Sequence, residues 1–455
     1  MRFQNSLRRF HTSVKLLSTD GAEISKNKLV QLKWSVVPQL RGRSEFTNRV
    51  WINRFIIKQK ALKSGQPIIE GRYTEEYLAF KSDPGLLEEY INVYGHIRFG
   101  KILEDLDAMA GSVAYAHCDD LRDDTPPLTI VTASLDRIDL LRNIPTTDDI
   151  KICGFVSYVG RSSMEISIFM EIVPEGYAAV MEKKVSNEKQ FPWIHRGKDR
   201  ENVLLSAKFT MVARNPVDGK SVQVNQLSLE TDEERRLFKL GAEQKSRKQV
   251  QTLTSFEKKP PTYEEMTLLH ELYLEYRQYL DPSYHIPKPA EVVWMKDTIK
   301  QNLLICMPQH RNIHGNIFGG YLMRVAYELA FTTSTIFAKT RPNFTSLDDI
   351  VFKKPVPIGS FLSLTSQIVY TDMETNSFQV KVKADVINPT KDYQDQVDNT
   401  NIFWFRFKLD DDIALQRVIP RSYDESIRYL EGKRRSESYE NNLRNTERFF
   451  NDHEP

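Results

Sequence analysis

The stretch RNIHGNIFGGYLMRVAYELAF, residues 311–331, places Asn312, His314, Asn316 and the pair Gly319–Gly320 directly before a nearly uncharged run. Asn and Gly favour turns and helix starts, because an Asn side chain accepts from free backbone N–H groups and Gly tolerates positive φ. From Tyr321 to Ala338 only Arg324 and Glu328 carry charge. The run therefore predicts a helix that is apolar almost all round and hence buried. Taken alone, a polar loop feeding a buried helix is ordinary structure.

The chain repeats the pattern. Residues 90–111, YINVYGHIRFGKILEDLDAMAG, superpose at an offset of 220: Asn92 on Asn312, Gly95 on Gly315, Ile97 on Ile317, Gly100 on Gly320 and Ala110 on Ala330. Downstream, SLDRIDLLRNIP (134–145) matches SLDDIVFKKPVP (346–357) at an offset of 212, which also brings Tyr158 onto Tyr370. Two landmarks in the same order at nearly one spacing predict a tandem duplication of one domain.

Composition narrows the possibilities. A chain of 455 residues with 40% hydrophobic residues has room for two or three cores. A formal charge of +2 gives no argument for a nucleic-acid partner or an acidic surface. Only Cys118, Cys153 and Cys306 occur, too scattered for a disulfide framework or a metal cluster, and no metal or cofactor is expected. No apolar run reaches the ~18 residues that a membrane span requires. The N-terminal MRFQNSLRRFHTSVKLLSTD holds Arg2, Arg8, Arg9 and Lys15 with no acid before Asp20, the composition of a mitochondrial presequence. A reducing compartment such as the matrix also suits three unpaired cysteines.

Both halves share a coarse architecture. After the first loop and helix come four runs of strand composition: LTIVTASLDRI, DIKICGFVSYVG, SSMEISIFMEIV and VLLSAKFTMVAR. The second half offers SLDDIVFKK, SFLSLTSQIVYT, SFQVKVKADVI and NIFWFRFKL. One buried helix followed by an antiparallel meander predicts an α+β domain in which a sheet wraps a helix. Residues 229–262 are rich in charge and end in Lys-Lys-Pro-Pro, which reads as an exposed helix and linker. YEEMTLLHELYLEYRQYL (263–280) reads as a further helix.

These residues resemble a family. INVYGHIRFGKILEDLDAMAG, IVTASLDRIDLL, SYVGRSSMEI, RNIHGNIFGGYLM and LDDIVFKKPVPIG are similar to the tandem hotdog acyl-CoA thioesterases, especially the mitochondrial acyl-coenzyme A thioesterases of the 9/10 type, over roughly residues 70–425. The resemblance implies two hotdog domains paired by a pseudo-twofold axis, with acyl-CoA bound in the groove between them. The expected organisation is a presequence over 1–18, an extension over 19–69, hotdog domains over 70–228 and 286–425, a charged linker and helix over 229–285, and a polar C-terminal tail over 426–455. A homo-oligomer, with a trimer of such pairs as the suggested form, is implied in the same way.

In this family the working pair is an Asn in the loop before one domain's helix and an acidic residue fifteen positions on, drawn from the other domain's helix. Carried over, this pairs Asn312 with Asp107 as the catalytic residues. The mirror pair is Asn92 with Tyr327, and a phenol of pKa near ~10 is no general base at neutral pH. One working and one degenerate site per chain are therefore expected. Helical projection supports Asp107 only in part: Ile102, Leu103, Leu106, Met109, Ala110, Val113 and Ala114 form an apolar stripe, with Asp105 and Asp107 at its edges and Glu104 opposite. Periodicity alone leaves Asp105 and Asp107 equivalent.

Gly319, Gly320 and Gly100 are the expected donors for an oxyanion, since free N–H groups at a helix start carry partial positive charge. Arg161, Ser162 and Ser163 of the GRSSME run, which the second half lacks, are expected near the CoA moiety, with His314 and Asn316 as further substrate contacts. His96 reads as a loop hydrogen-bonding residue, and Lys353 and Lys354 as a solvated strand end. Two other functions fit less well: a hotdog hydratase or dehydratase, and a non-catalytic acyl-CoA-binding or assembly protein. No G-x-S-x-G elbow supports an α/β-hydrolase.

Overall fold

The computed structural model describes residues 69–70, 74–118, 128–177, 202–216, 218–229, 232–312, 315–389 and 397–451. The expected presequence, nearly all of the extension, and His314 lie outside the described residues.

The first half runs β1 (Thr74–Leu78), α1 (Pro84–Tyr90), α2 (Phe99–Cys118), β2 (Thr129–Leu140), β3 (Ile150–Val159), β4 (Ser163–Ile172), β5 (Val203–Arg214) and α3 (Asp232–Thr254). Helix α4 (Tyr263–Leu280) leads into the second half. There follow β6 (Lys300–Ile305), α5 (Gly319–Ala338), β7 (Asn343–Val351), β8 (Phe361–Asp372), β9 (Ser377–Ile387), β10 (Val397–Lys408) and α6 (Tyr423–Asn451). The helices α2 and α5 both span 20 residues, at the offset of 220 that relates the loops before them.

These ten strands join one sheet in the order β1-β3-β4-β5-β2-β7-β10-β9-β8-β6, which reads the same from either edge once the halves are equated; four shorter strands of the described residues form two two-stranded sheets beside it. The two central strands, β2 and β7, pair antiparallel, with Ser134 opposite Val351 and Asp139 opposite Ser346. Under the offset of 212 each of these pairs maps onto the other, so the pseudo-twofold axis passes between the two strands. The edge strands β1 and β6 are short and were not anticipated from composition.

Helix α2 is buried because it has two neighbours. Ile102, Leu103, Leu106, Met109, Ala110 and Val113 are fully enclosed, the larger five worth about 1.5–3 kcal/mol apiece in transfer free energy. The sheet covers one side and α5 the other. The helices meet at glycines: a Cβ on Gly320 would lie 2.8 Å from Glu104 Cα, and one on Gly100 would lie 2.8 Å from Arg324 Cγ. Glu104, expected opposite the buried stripe, therefore lies on the seam between the helices. A helix enclosed on two sides, by the sheet and by α5, has no single solvent face on which Glu104 could lie.

The stretch expected as a polar tail is helical instead. Helix α6 lies on the outer face of the sheet, with Leu430 fully buried and a Cβ on Gly432 placed 2.6 Å from Tyr370 Cβ. Helix α3 repeats the arrangement, its Gly241 packing on Tyr158, the equivalent of Tyr370. Ion pairs add to the apolar anchor of α6, Lys381–Glu431 at 2.7 Å and Arg435–Asp348 at 2.8 Å.

Candidate active site

Three segments converge on Asp107. Helix α2 carries the carboxylate inward, and it is buried. Strand β2 supplies Thr132, whose hydroxyl donates to Asp107 Oδ1 at 2.9 Å. The start of α5 supplies the Gly320 N–H, which donates to Oδ2 at 2.7 Å. Phe318, the N-cap residue of α5, has no capping side chain, so Asp107 of the other half takes up part of that work. The N–H of Gly319 has no protein acceptor among the described residues. A Cβ on Gly319 would lie 3.0 Å from Asp107 Oδ2, so glycine keeps this approach open.

Burial pushes the Asp107 carboxyl up to about 6, with the Thr132 and Gly320 hydrogen bonds acting in the opposite direction. At neutral pH the group is mostly ionised yet readily protonated, as a general base requires. The neighbouring acids differ. Asp105 accepts from the Tyr90 hydroxyl at 2.8 Å, and Glu104 pairs with Arg324 at 3.2 Å. Of the three, Asp107 alone is buried against the second half.

The mirror position is filled with rings. Phe99 stands where the second half has Gly319, Tyr327 where the first has Asp107, and Phe344 where the first has Thr132. Their centroids lie 5.3 Å (Phe99–Tyr327), 4.4 Å (Phe99–Phe344) and 5.4 Å (Tyr327–Phe344) apart, within range for favourable aromatic packing. Burial raises the Tyr327 pKa still further. Gly100 belongs to this plugged side, against Arg324 and Glu328, and is not brought to Asp107; the helix start beside that carboxylate is that of α5.

The remaining expected residues are placed as follows. Asn312 Oδ1 accepts from the Asn316 N–H at 3.1 Å, and Asn92 Oδ1 accepts from the N–H groups of Tyr94 (2.9 Å) and His96 (3.1 Å). Both asparagines thus close their own loops before the helix. Gly315 and Gly95 take φ of 76° and 77° in these loops, the left-handed region that favours glycine. Arg161 and Ser162 lie in the turn between β3 and β4 and Ser163 opens β4 opposite Val212; Ser162 O accepts from the Ala213 N–H at 2.9 Å and Arg161 O from the Val224 N–H at 3.0 Å. Lys354 pairs with Asp398. Thr132 escaped the sequence reading, although its replacement by Phe344 in the repeat parallels that of Asp107 by Tyr327.

The thioesterase superfamily profile matches residues 94–178. The chain is 38% identical to the mitochondrial acyl-coenzyme A thioesterase 9 of Bos taurus over 372 residues, covering 80% of this chain and 77% of that one. The chain belongs to the acyl-coenzyme A thioesterases. To mitochondrial acyl-coenzyme A thioesterase 10 of Mus musculus it is 36% identical over 375 residues, covering 81% and 78% of the two chains. Among solved structures, the acyl-CoA hydrolase of Staphylococcus aureus in complex with butyryl coenzyme A, coenzyme A and coenzyme A disulfide matches 35% of this chain at 22% identity and a TM-score of 0.32. The helix-and-sheet halves are hotdog domains, and this thioesterase is a thioester hydrolase with its buried carboxylate where they meet.

Proposed function

We propose that this thioesterase hydrolyses acyl-CoA with a water activated by Asp107, at one site per chain. Water adds to the thioester carbonyl carbon as Asp107 takes its proton. Negative charge develops on the carbonyl oxygen, where a donor such as the Gly319 N–H at the positive end of α5 would stabilise it. The tetrahedral intermediate collapses with breakage of the C–S bond, and the departing thiolate receives the proton from Asp107. Products are the free carboxylic acid and CoA. Asn312 closes the loop that leads into α5, and an amide there is a group suited to hydrogen-bonding a carbonyl or a water.

The observation that carries this reading is the buried Asp107 carboxylate held against the N-terminus of the other domain's helix. The aromatic plug of Phe99, Tyr327 and Phe344 supports a single working site, since the mirror position has no ionisable base at neutral pH. Arg161, Ser162 and Ser163 fit an approach by the CoA moiety. The names of the relatives and the basic N-terminus support a mitochondrial location, and we extend this to the matrix. Association of several chains is part of the same proposal. No helix of the described residues is long and apolar enough to cross a membrane. Release of free thiol from acyl-CoAs of several chain lengths, by the wild type and Asp107→Asn, tests the reading: the variant should lose turnover with every substrate.

A further inference from the structure

Glu104 and Arg324 occupy equivalent positions in the two halves, at the offset of 220, yet they bind each other at 3.2 Å. Equivalent residues touch only on or near the pseudo-twofold axis. Like halves facing each other would set Glu against Glu or Arg against Arg, whereas the tandem sets opposite charges together. The side chains are only 21% and 14% exposed, so water screens the pair less than it would a surface bridge.

The pair sits one turn from the chemistry. Glu104 precedes Asp107 by three residues and lies on the same side of α2. Its Cα is the backbone atom that a Cβ on Gly320 would strike. On the other side, the Arg324 guanidinium lies 5.2 Å from the Tyr321 ring centroid. Tyr321 follows Gly320 directly and stacks on His310 at 3.9 Å. His310 O accepts from the N–H of Phe318, the residue before Gly319. A chain of contacts thus runs from Glu104 through Arg324, Tyr321 and His310 to both ends of the Gly319–Gly320 turn. The mirror helix has Lys101 where α5 has Tyr321, so the aromatic link is built on the working side alone.

We propose that Glu104 and Arg324 are the positioning pair of this active site: their bond holds the first turn of α5 at the height where the Gly320 N–H meets Asp107 Oδ2. The inference rests on Asp107 being the general base. Asp107 itself is faced by the Thr132 hydroxyl from β2 and the Gly319–Gly320 backbone from α5; the charged groups nearby are Glu104 and Asp105 of its own helix and Arg324 and Glu328 of α5. Loosening the pair lengthens the Gly320 bond that lowers the Asp107 pKa, so the acid limb of the rate profile should move up.

The test is steady-state acyl-CoA hydrolysis from pH 5 to 9 by Glu104→Gln, Arg324→Gln, the double variant and Arg324→Lys, each checked for its thermal transition, with Asp107→Asn alongside. The expected result is a kcat lowered about tenfold in each single variant. KM should stay within a few-fold, the acid limb should shift upward, the double variant should be no worse than either single one, and Arg324→Lys should recover part of the loss. Lower thermal stability with kcat and acid limb unchanged would overturn the proposal and leave the base assignment standing. An active Asp107→Asn would overturn the base assignment itself. If Arg324→Gln fails to fold, Glu104→Gln and Arg324→Lys give the same decision.

Discussion

Thr132 and Phe344 are the same position in the two halves of this thioesterase, and they do opposite things. Thr132 donates a hydrogen bond to the buried Asp107, whereas Phe344 packs its ring against Tyr327, the residue that replaces Asp107. With Gly319 and Phe99 the contrast covers three positions. One interface between the domains keeps a carboxylate, a hydroxyl and open backbone; the other has exchanged all three for rings.

Thr132→Val keeps the shape of the side chain and removes the donor. The lost hydrogen bond favoured the ionised carboxylate, so its absence should raise the Asp107 pKa further and move the acid limb of kcat above its wild-type position. We expect kcat at pH 7 to fall on the order of tenfold, with partial recovery at pH 9. A profile superimposable on that of the wild type would exclude Thr132 from the site.

Asn92→Ala and Tyr327→Phe should leave turnover within a few-fold, because neither lies at the working carboxylate. Tyr327→Ala is different in kind: it opens a cavity among Phe99, Phe331, Phe344 and Phe405 and should cost about 3–5 kcal/mol of stability. Thermal unfolding beside steady-state rates separates the two effects. Loss of rate in Tyr327→Phe without loss of stability would show that the plugged side takes part in catalysis.

The two glycines at the start of α5 should respond unequally to alanine. At Gly320 the new methyl would meet the Phe318 ring at 2.6 Å and the Glu104 backbone at 2.8 Å, forcing the central helices apart. At Gly319 it would press on Asp107 Oδ2 at 3.0 Å. Gly320→Ala should therefore lose stability and activity together, and Gly319→Ala activity first. Equal melting temperatures for both variants would contradict the close helix crossing.

The raised carboxyl of Asp107 also predicts a trade of stability against function. A group whose folded pKa lies above its ordinary value holds its proton more tightly when folded, so stability falls as pH rises through the window from 3.8 to about 6. Above that window the cost is complete, roughly 3 kcal/mol as an order of magnitude. Asp107→Asn can donate to Thr132 Oγ1 and accept from the Gly320 N–H, without the buried charge. Its melting temperature should equal or exceed that of the wild type at pH 8, the difference shrinking toward pH 4. A variant much less stable at pH 8 would show that the charge is compensated in the fold.

Much of the fold was legible in the sequence because duplication writes each signal twice. The loop-helix landmark and the eight strands with alternating or apolar runs all formed close to where composition put them. The edge strands β1 and β6 were missed because they are five or six residues long and pair on one side only. Helix α6 reads as a solvated tail because few of its residues are apolar: a short anchor at Tyr429 and Leu430 docks it, and ion pairs such as Arg435–Asp348 supplement that anchor. In the site, helical periodicity left Asp105 and Asp107 open, since both border the apolar stripe. What separates them is the second half of the chain, which buries Asp107 under α5 and leaves Asp105 to the Tyr90 hydroxyl. Thr132 lies 25 residues along the chain on another element, and only a position-by-position comparison of the halves would have exposed it.

The central claim is that Asp107 is the base that activates water for thioester hydrolysis. The most direct measurement is kcat for a single acyl-CoA across pH 5 to 9, for the wild type and Asp107→Asn, with folding verified by an unchanged or raised thermal transition. The account predicts a wild-type rate that rises with an apparent pKa near 6 and a variant slower by 10²- to 10⁴-fold, with that limb abolished. A well-folded Asp107→Asn that retains both the rate and the acid limb would contradict it.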